Sequence, residues 1–344
     1  MKNGVLLINL GTPDEPTVPA VRRYLKEFLS DPYVIDINPL ARWLLVNCII
    51  GPFRSPKSTL AYKKIWTDRG SPLLFHTMDL TKKVAEKLGS NFAVETAMRY
   101  GNPGLKTAIA RLVDAGVHSI KVFPLYPQYA LSSTETSLQE ASRILGELRY
   151  EGMLDTVGPF YGHAGFIRAF AETGRPVLTD LNPDHVVFSF HGLPERHIRK
   201  VSRCPMDNSC CETISEHNRL CYRAHCVQTA RAIAQESALS KDQYTISFQS
   251  RLGRTPWIKP YTDLILPELA RQGKKRIAVF CPSFVADCLE TLEEIAIRGK
   301  ESFLATGGER LALIPSLNSH PSWVEAICEM ITSPSTHAQN PPAP

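Results

Sequence analysis

An α/β protein built on parallel sheets with crossover helices is the fold class this chain predicts, on three observations. Short runs rich in β-branched and aromatic residues alternate with longer amphipathic stretches. The runs fall into two sets, suggesting two similar units that meet somewhere near residues 127–137. The length, 344 residues with 43% hydrophobic and 21% charged side chains, suits two soluble domains of ordinary size. A formal charge of +5 without a long Lys/Arg run speaks against a nucleic-acid polymer and allows an anionic small molecule.

In chain order, residues 1–10 carry one charge and an apolar run too short for a signal peptide, so they read as a first strand over 4–10. Further strands are expected at 92–98, 119–124, 185–190, 244–249 and 276–281, with helices such as 18–29, 77–88, 104–115 and 260–272 between them. The longest apolar patch, 40–53, is interrupted by Arg42, Asn47 and Gly51, and no segment approaches a membrane span. The Pro-, Ser- and Ala-rich tail, 333–344, is expected to be disordered. No G-x-G-x-x-G follows the first strand, and neither a phosphate-binding G-x-x-x-x-G-K-[ST] loop nor a G-x-S-x-G elbow occurs, so no nucleotide is expected.

Four segments carry chemistry. The run Val186 to Phe190 ends in His191 and the turn Gly192-Leu193-Pro194. That sets an imidazole at the carboxyl end of a strand, where open α/β sheets place their ligand crevices. A histidine that merely caps a turn is the plain alternative. Asp287, Glu290 and Glu294 stand at i, i+3 and i+7, one face of a helix able to accept protons or hold a cation, or else a solvated first turn. Phe248 to Pro260 contains Trp257 in a loop stiffened by Pro256 and Pro260. Phe123 to Tyr129, followed by Ser132-Ser133-Thr134-Glu135-Thr136-Ser137, is an aromatic strand exit leading into a hydroxyl-rich helix start. Together they describe a pocket for a flat, apolar ligand.

Five segments in order, Leu6 to Pro13, Leu125 to Tyr129, Phe188 to Pro194, Gln249 to Pro260 and Cys288 to Glu294, resemble the motifs of the ferrochelatases, and the likeness covers nearly everything before the tail. It implies insertion of Fe²⁺ into a porphyrin as the last step of haem synthesis. It also implies two Rossmann-like, chelatase-type domains, each a parallel sheet flanked by helices, with the active-site cleft between them. The division expected is 1–128 plus about 313–332 for the N-terminal domain and 129–312 for the C-terminal one. By the same resemblance His191 is the catalytic histidine and Glu290 the essential carboxylate, both handling the substrate iron, with Asp287 and Glu294 as a proton or metal relay. Arg54 and Ser71 match positions at the porphyrin propionates, Arg99 and Tyr100 a pair on the cleft wall, and Tyr129 and Trp257 further substrate contacts. Leu10 lies next to the metal face of the macrocycle. Members using coproporphyrin tend to carry tyrosine there, so leucine favours protoporphyrin IX. Cys288 stands where some relatives have histidine, which makes a relay role at that position doubtful. Whether His191 acts first as base or as ligand is left open.

Cys204, Cys210, Cys211, Cys221 and Cys226 crowd one segment, 200–228, in a C-x₅-C-C-x₉-C-x₄-C spacing that fits no common zinc ribbon. Some ferrochelatases hold a [2Fe–2S] cluster, certain bacterial ones in this internal region, so four of these five are expected to ligate one, with structural zinc as the alternative. Between Cys210 and Cys211 the second is preferred, and the helix carrying Cys221 and Cys226 is expected to break between them. His197, His217 and His225 are read as surface residues; Cys48, Cys281 and Cys328 as core. Leu40, Trp43, Leu44, Leu45, Ile49, Ile50 and Phe53 form either an exposed lip at the cleft mouth or a buried amphipathic helix. A cytoplasmic location, possible peripheral contact with the cytoplasmic membrane, and porphyrin delivery from a membrane surface or a porphyrin-supplying enzyme follow as expectations. The competing functions are a coproporphyrin III ferrochelatase, another tetrapyrrole metal chelatase, and a non-catalytic haem-binding or iron–sulfur sensor protein.

Overall fold

The computed structural model describes residues 2–333 apart from 203, 207, 208 and 254, so 334–344 of the expected tail lie outside the described residues. Eight strands are seen among the described residues: β1 (Asn3–Thr12), β2 (Phe92–Gly101), β3 (Ser119–Pro124), β4 (Met153–Thr156), β5 (His185–His191), β6 (Tyr244–Gln249), β7 (Arg276–Phe280) and β8 (Arg310–Leu313). They form two parallel sheets, β2-β1-β3-β4 and β6-β5-β7-β8. The two units thus share one strand order, a Rossmann-like arrangement used twice.

The helices in chain order are α1 (Val18–Ser30), α2 (Pro39–Leu44), α3 (Ser55–Ile65), α4 (Pro72–Leu88), α5 (Leu105–Asp114), α6 (Thr136–Glu147) and α7 (Ala164–Leu181), then α8 (Glu195–Val201), α9 (Tyr222–Glu236), α10 (Thr262–Arg271), α11 (Leu289–Leu292), α12 (Lys300–Ala305) and α13 (Pro321–Thr332). Among the described residues three π-helical stretches, Leu45–Arg54, Leu131–Glu135 and Glu294–Gly299, interrupt them.

All six expected strands are present, and the reason is burial. Val5 to Ile8 and Val186 to Phe190 are buried on both faces of central parallel strands, which produces continuous apolar runs. The edge strands β4 and β8 were not foreseen. Each has four residues, and Met153 and Leu154 lie exposed, so no apolar pattern announces them. Because β4 pairs with β3, α6 and β4 belong to the first lobe, and the change of sheet falls after Thr156 rather than at residue 128. One continuous core joins the lobes, running from Val5, Leu7 and Leu80 through Phe188 and Phe280 to Trp323. Helix α13 packs on both α4 and α7.

The 40–53 patch folds as α2 and a π-helix. Leu40, Trp43, Leu44, Ile49 and Phe53 are exposed, Phe53 by 78%, while Val46 and Ile50 face inward. The buried-helix alternative is thereby overturned. Cys48, expected in the core, is exposed on this segment. No helix among the described residues is long and apolar enough to cross a membrane.

Gly11 shows how tightly β1 and β2 run together. It faces Tyr100 in the ladder at φ +123°, and a Cβ there would fall 1.8 Å from the Tyr100 carbonyl oxygen. Gly11→Ala should therefore cost at least about 2 kcal/mol through backbone strain and overpacking; a denaturant titration with an unchanged midpoint would contradict this.

Candidate functional site

In both sheets the strand order reverses beside the first strand, and open α/β folds bind ligands at the carboxyl ends flanking such a point. Those ends are Leu10-Gly11-Thr12 after β1 and His191-Gly192 after β5. Leu10 is half-buried against a cluster that includes Tyr24 and Tyr62, and Leu289 and Leu292 pack against the same cluster, so this wall already holds side chains from both lobes.

His191 is partly exposed, and its Nδ1 lies 2.6 Å from the Gly192 carbonyl oxygen. A carbonyl can only accept, so Nδ1 carries the proton and Nε2 of the neutral ring keeps its lone pair. The Phe284 ring stands edge-on, 6.2 Å from the imidazole. Gly192 donates its N–H to Gln249 at 2.8 Å, and a Cβ at Gly192 would meet that same carbonyl at 2.8 Å and the Trp257 ring at 3.3 Å. Glycine is what lets the indole lie against the strand exit. Trp257 Nε1 in turn donates to the Leu252 carbonyl at 2.8 Å.

Glu290 is reached through Gln249, which pairs with His191 across β5 and β6. Gln249 Nε2 donates to the Glu290 carbonyl at 2.8 Å, and its Oε1 accepts from Ser189 at 2.6 Å. The Cys288 thiol hydrogen-bonds the Glu290 side chain; burial first, and then that carboxylate, push the thiol well above its ordinary range. Across the cleft the Glu290 charge is felt by Tyr24, Tyr62 and Arg54. Burial lowers the Arg54 pKa and Glu290 opposes that.

The acidic row does not hold its spacing. Helix α11 begins at Leu289 with Cys288 as its N-cap, so Asp287 lies ahead of the helix. Asp287 is buried, accepting from Asn318 Nδ2 at 2.8 Å, Thr291 Oγ1 at 3.1 Å and the Ser316 N–H at 3.2 Å. The backbone turns to a π-helix at Glu294, whose carboxylate accepts from the Ser250 N–H at 2.8 Å and the Ser250 hydroxyl at 2.5 Å. Glu293 was not singled out, yet it is buried and joins the lobes through Lys64 at 3.4 Å beside Arg298 at 2.7 Å.

Several expected porphyrin contacts are fully engaged. Arg99, Tyr100 and Thr136 all donate to Asp31 Oδ2, at 2.7, 2.8 and 2.7 Å, and Tyr100 is only 1% exposed. Ser71 is buried against Thr12 Oγ1 at 2.8 Å. Buried Tyr129 donates to Glu135 at 2.9 Å. Arg54, Leu10 and Trp257 retain partial exposure.

In the cysteine segment, Cys204 Sγ lies 3.6 Å from Cys210 Sγ, which is 3.8 Å from Cys211 Sγ. The Cys221 thiol hydrogen-bonds Cys204, the largest of several contacts that lower the Cys204 pKa. No disulfide involves the nine cysteines, and no group of three or more metal-type donors is gathered at metal-binding geometry among the described residues. Helix α9 is unbroken through Cys226, since Cys221 caps it and the expected break is absent. His197 and His225 are buried, against expectation. His197 Nε2 sits 3.1 Å from Asp36 Oδ1. His225 accepts the Tyr129 N–H at Nδ1 (3.2 Å), donates from Nε2 to the Arg219 carbonyl (2.8 Å) and stacks on Tyr161. Two of its partners, Tyr129 and Tyr161, come from distant segments, so no local pattern marks it. His217 is exposed.

Two α/β units with one shared strand order give a chelatase-type fold. Solved structures agree at the level of fold: SirB from Bacillus subtilis with Fe³⁺, and the sirohydrochlorin chelatase SirB of B. subtilis subspecies spizizenii in complex with cobalt, each match with a TM-score of 0.51 at 11% identity, covering 96% of this chain and 94% of theirs. The sequence profile of the ferrochelatase family matches residues 2–334. Proteins named ferrochelatase from Legionella pneumophila (strain Paris) and Coxiella burnetii (strain CbuK_Q154) are 46% and 48% identical to it, over 96% of this chain and 99% and 93% of their own lengths. The chain belongs to the ferrochelatase family.

Burial lowers the His225 pKa to about 4, against about 6.5 in an unfolded chain. Between those values the unfolded state binds the extra proton, so stability falls as pH drops. This group alone should remove about 1.6 kcal/mol between pH 6.5 and 5. Denaturant midpoints of wild type and His225→Gln across that window test it, with the variant expected to lose this group's share of the slope; equal slopes would contradict it.

Proposed function

We propose that this protein inserts Fe²⁺ into protoporphyrin IX to give protohaem, with the macrocycle held between the Leu10 wall and the His191–Trp257 wall. The observation that carries the reading is that Gln249 ties His191 and Glu290 to one strand end. Metallation requires loss of two pyrrole protons and a bent ring whose nitrogens reach the metal. His191 supplies an Nε2 lone pair, fixed by the Nδ1–H bond to Gly192, as proton acceptor. Glu290, beside the Cys288 thiol and within the field of Arg54, receives the charge or the metal. Asp287 and Glu294 have their carboxylates engaged, so they serve this site by fixing the start of α11 and the Ser250 loop. Arg99 and Tyr100 act through Asp31, shaping the wall. Leucine at position 10 supports protoporphyrin over coproporphyrin III.

Four thiols, Cys204, Cys210, Cys211 and Cys221, are the donors we assign to a [2Fe–2S] cluster, or to zinc. The proximity of Cys204 to Cys210 (3.6 Å) and of Cys210 to Cys211 (3.8 Å), with the Cys221–Cys204 hydrogen bond, supports the assignment, although the four do not stand at metal-binding geometry in this structure. Cys226, fully buried and bonded to Tyr222, is left out. Such a centre supplies electron-transfer capacity or a structural cross-link when bound. The exposed apolar edge at Leu40, Trp43, Leu44, Ile49 and Phe53 supports peripheral contact with a membrane surface, and with it a cytoplasmic protein that receives its insoluble substrate there.

Anaerobic Fe²⁺ insertion followed by absorbance, with protoporphyrin IX and coproporphyrin III side by side, tests the activity. Wild type should turn over the first faster, and His191→Ala and Glu290→Gln should each lose about 100-fold or more. No turnover with either porphyrin would contradict the reading. For the thiol site, iron, sulfide and zinc are quantified in anaerobically purified protein. Cys204→Ser and Cys221→Ser should lose the metal and Cys226→Ser keep it; metal-free wild type would remove the assignment.

A further inference from the structure

Strand β5 outruns its neighbour. Its ladder with β7 ends at Phe188 opposite Phe280, and Phe190 and His191 continue without that partner. On the far side β6 still pairs up to Gln249. The polar backbone of the last residue needs other partners on the β7 edge, because unsatisfied buried groups are costly.

Two side chains take that place. Tyr222 Oη donates to the His191 carbonyl at 2.8 Å, and the His191 N–H reaches Ser283 Oγ at 3.4 Å. Tyr222 Oη and Ser283 Oγ are 2.9 Å apart. With the tyrosine proton committed to His191, the serine hydroxyl donates to the tyrosine, and a closed ring of bonds grips both backbone groups of His191. Tyr222 is 5% exposed and opens helix α9, directly after Cys221. Ser283 lies in the turn after β7. Both bonds go to the His191 backbone, while the ring's Nδ1 is set by Gly192.

We propose that Tyr222, with Ser283, is a positioning residue that completes the sheet edge around His191 and fixes where Nε2 points. The proposal rests on the reading of His191 as the reacting base. Fe²⁺ insertion is measured in Tyr222→Phe, Ser283→Ala, the double variant and His191→Ala, with Tm recorded for each. Each single variant should lower kcat about tenfold or more, since small misplacements of a catalytic group are costly, while KM for porphyrin stays unchanged. The double variant should be little worse than either single one, because one ring has been opened once. Unchanged kcat per folded molecule in both single variants would overturn the proposal, as would a loss confined to Tm and yield. Should Tyr222→Phe fail to fold, Ser283→Ala decides. Full turnover by His191→Ala would instead sink the underlying reading, so the two failures are distinguishable.

Discussion

The site depends on the buried amide of Gln249. One residue of β6 meets the histidine strand, the glycine turn after it and the helix bearing Glu290: its carbonyl accepts from Gly192, its Oε1 from Ser189, and its Nε2 donates to Glu290. The residue is 3% exposed, so each of these bonds is made away from water, where an orphaned partner costs the full desolvation penalty. The backbone at His191-Gly192 and at Glu290, nearly a hundred residues apart in sequence, is thereby held by a single residue on a strand. Rigid elements position chemistry better than loops do.

Charge holds the lobes in register around that site. Asp36, from the first lobe, meets Arg196 at 2.7 Å and Lys200 at 2.6 Å on the helix that follows His191. Burial opposes its ionisation, yet those bonds outweigh it and keep the carboxylate below its usual range. Lys64 and Glu293 make a second bridge from α3 to the segment after α11. Asp31, gripped by Arg99, Tyr100 and Thr136, fixes the end of α1 against β2 and α6. Each involves a buried or half-buried carboxylate, where pairing decides geometry as much as stability.

What the sequence disclosed follows from the same physics. Central parallel strands are buried on both faces, so Val5 to Ile8 and Val186 to Phe190 stand out, and His191 at a strand end stands out with them. The short edge strands β4 and β8 carry no such imprint. The acidic row was legible as composition but not as geometry, because helical spacing presumes an α-helix and this backbone caps at Cys288 and becomes π-helical at Glu294. His225, Asp31, Asp36 and the hub role of Gln249 were hidden. Their partners lie far away along the chain, and nothing in a single sequence records which distant groups will meet.

The most direct measurement is a crystal structure of the protein with metal-free protoporphyrin IX bound. The account predicts the ring seated between Leu10 and Trp257, with His191 Nε2 directed at the pyrrole nitrogens and Glu290 within reach of the same centre. A porphyrin bound outside that cleft, or one whose nitrogens face neither His191 nor Glu290, would contradict it.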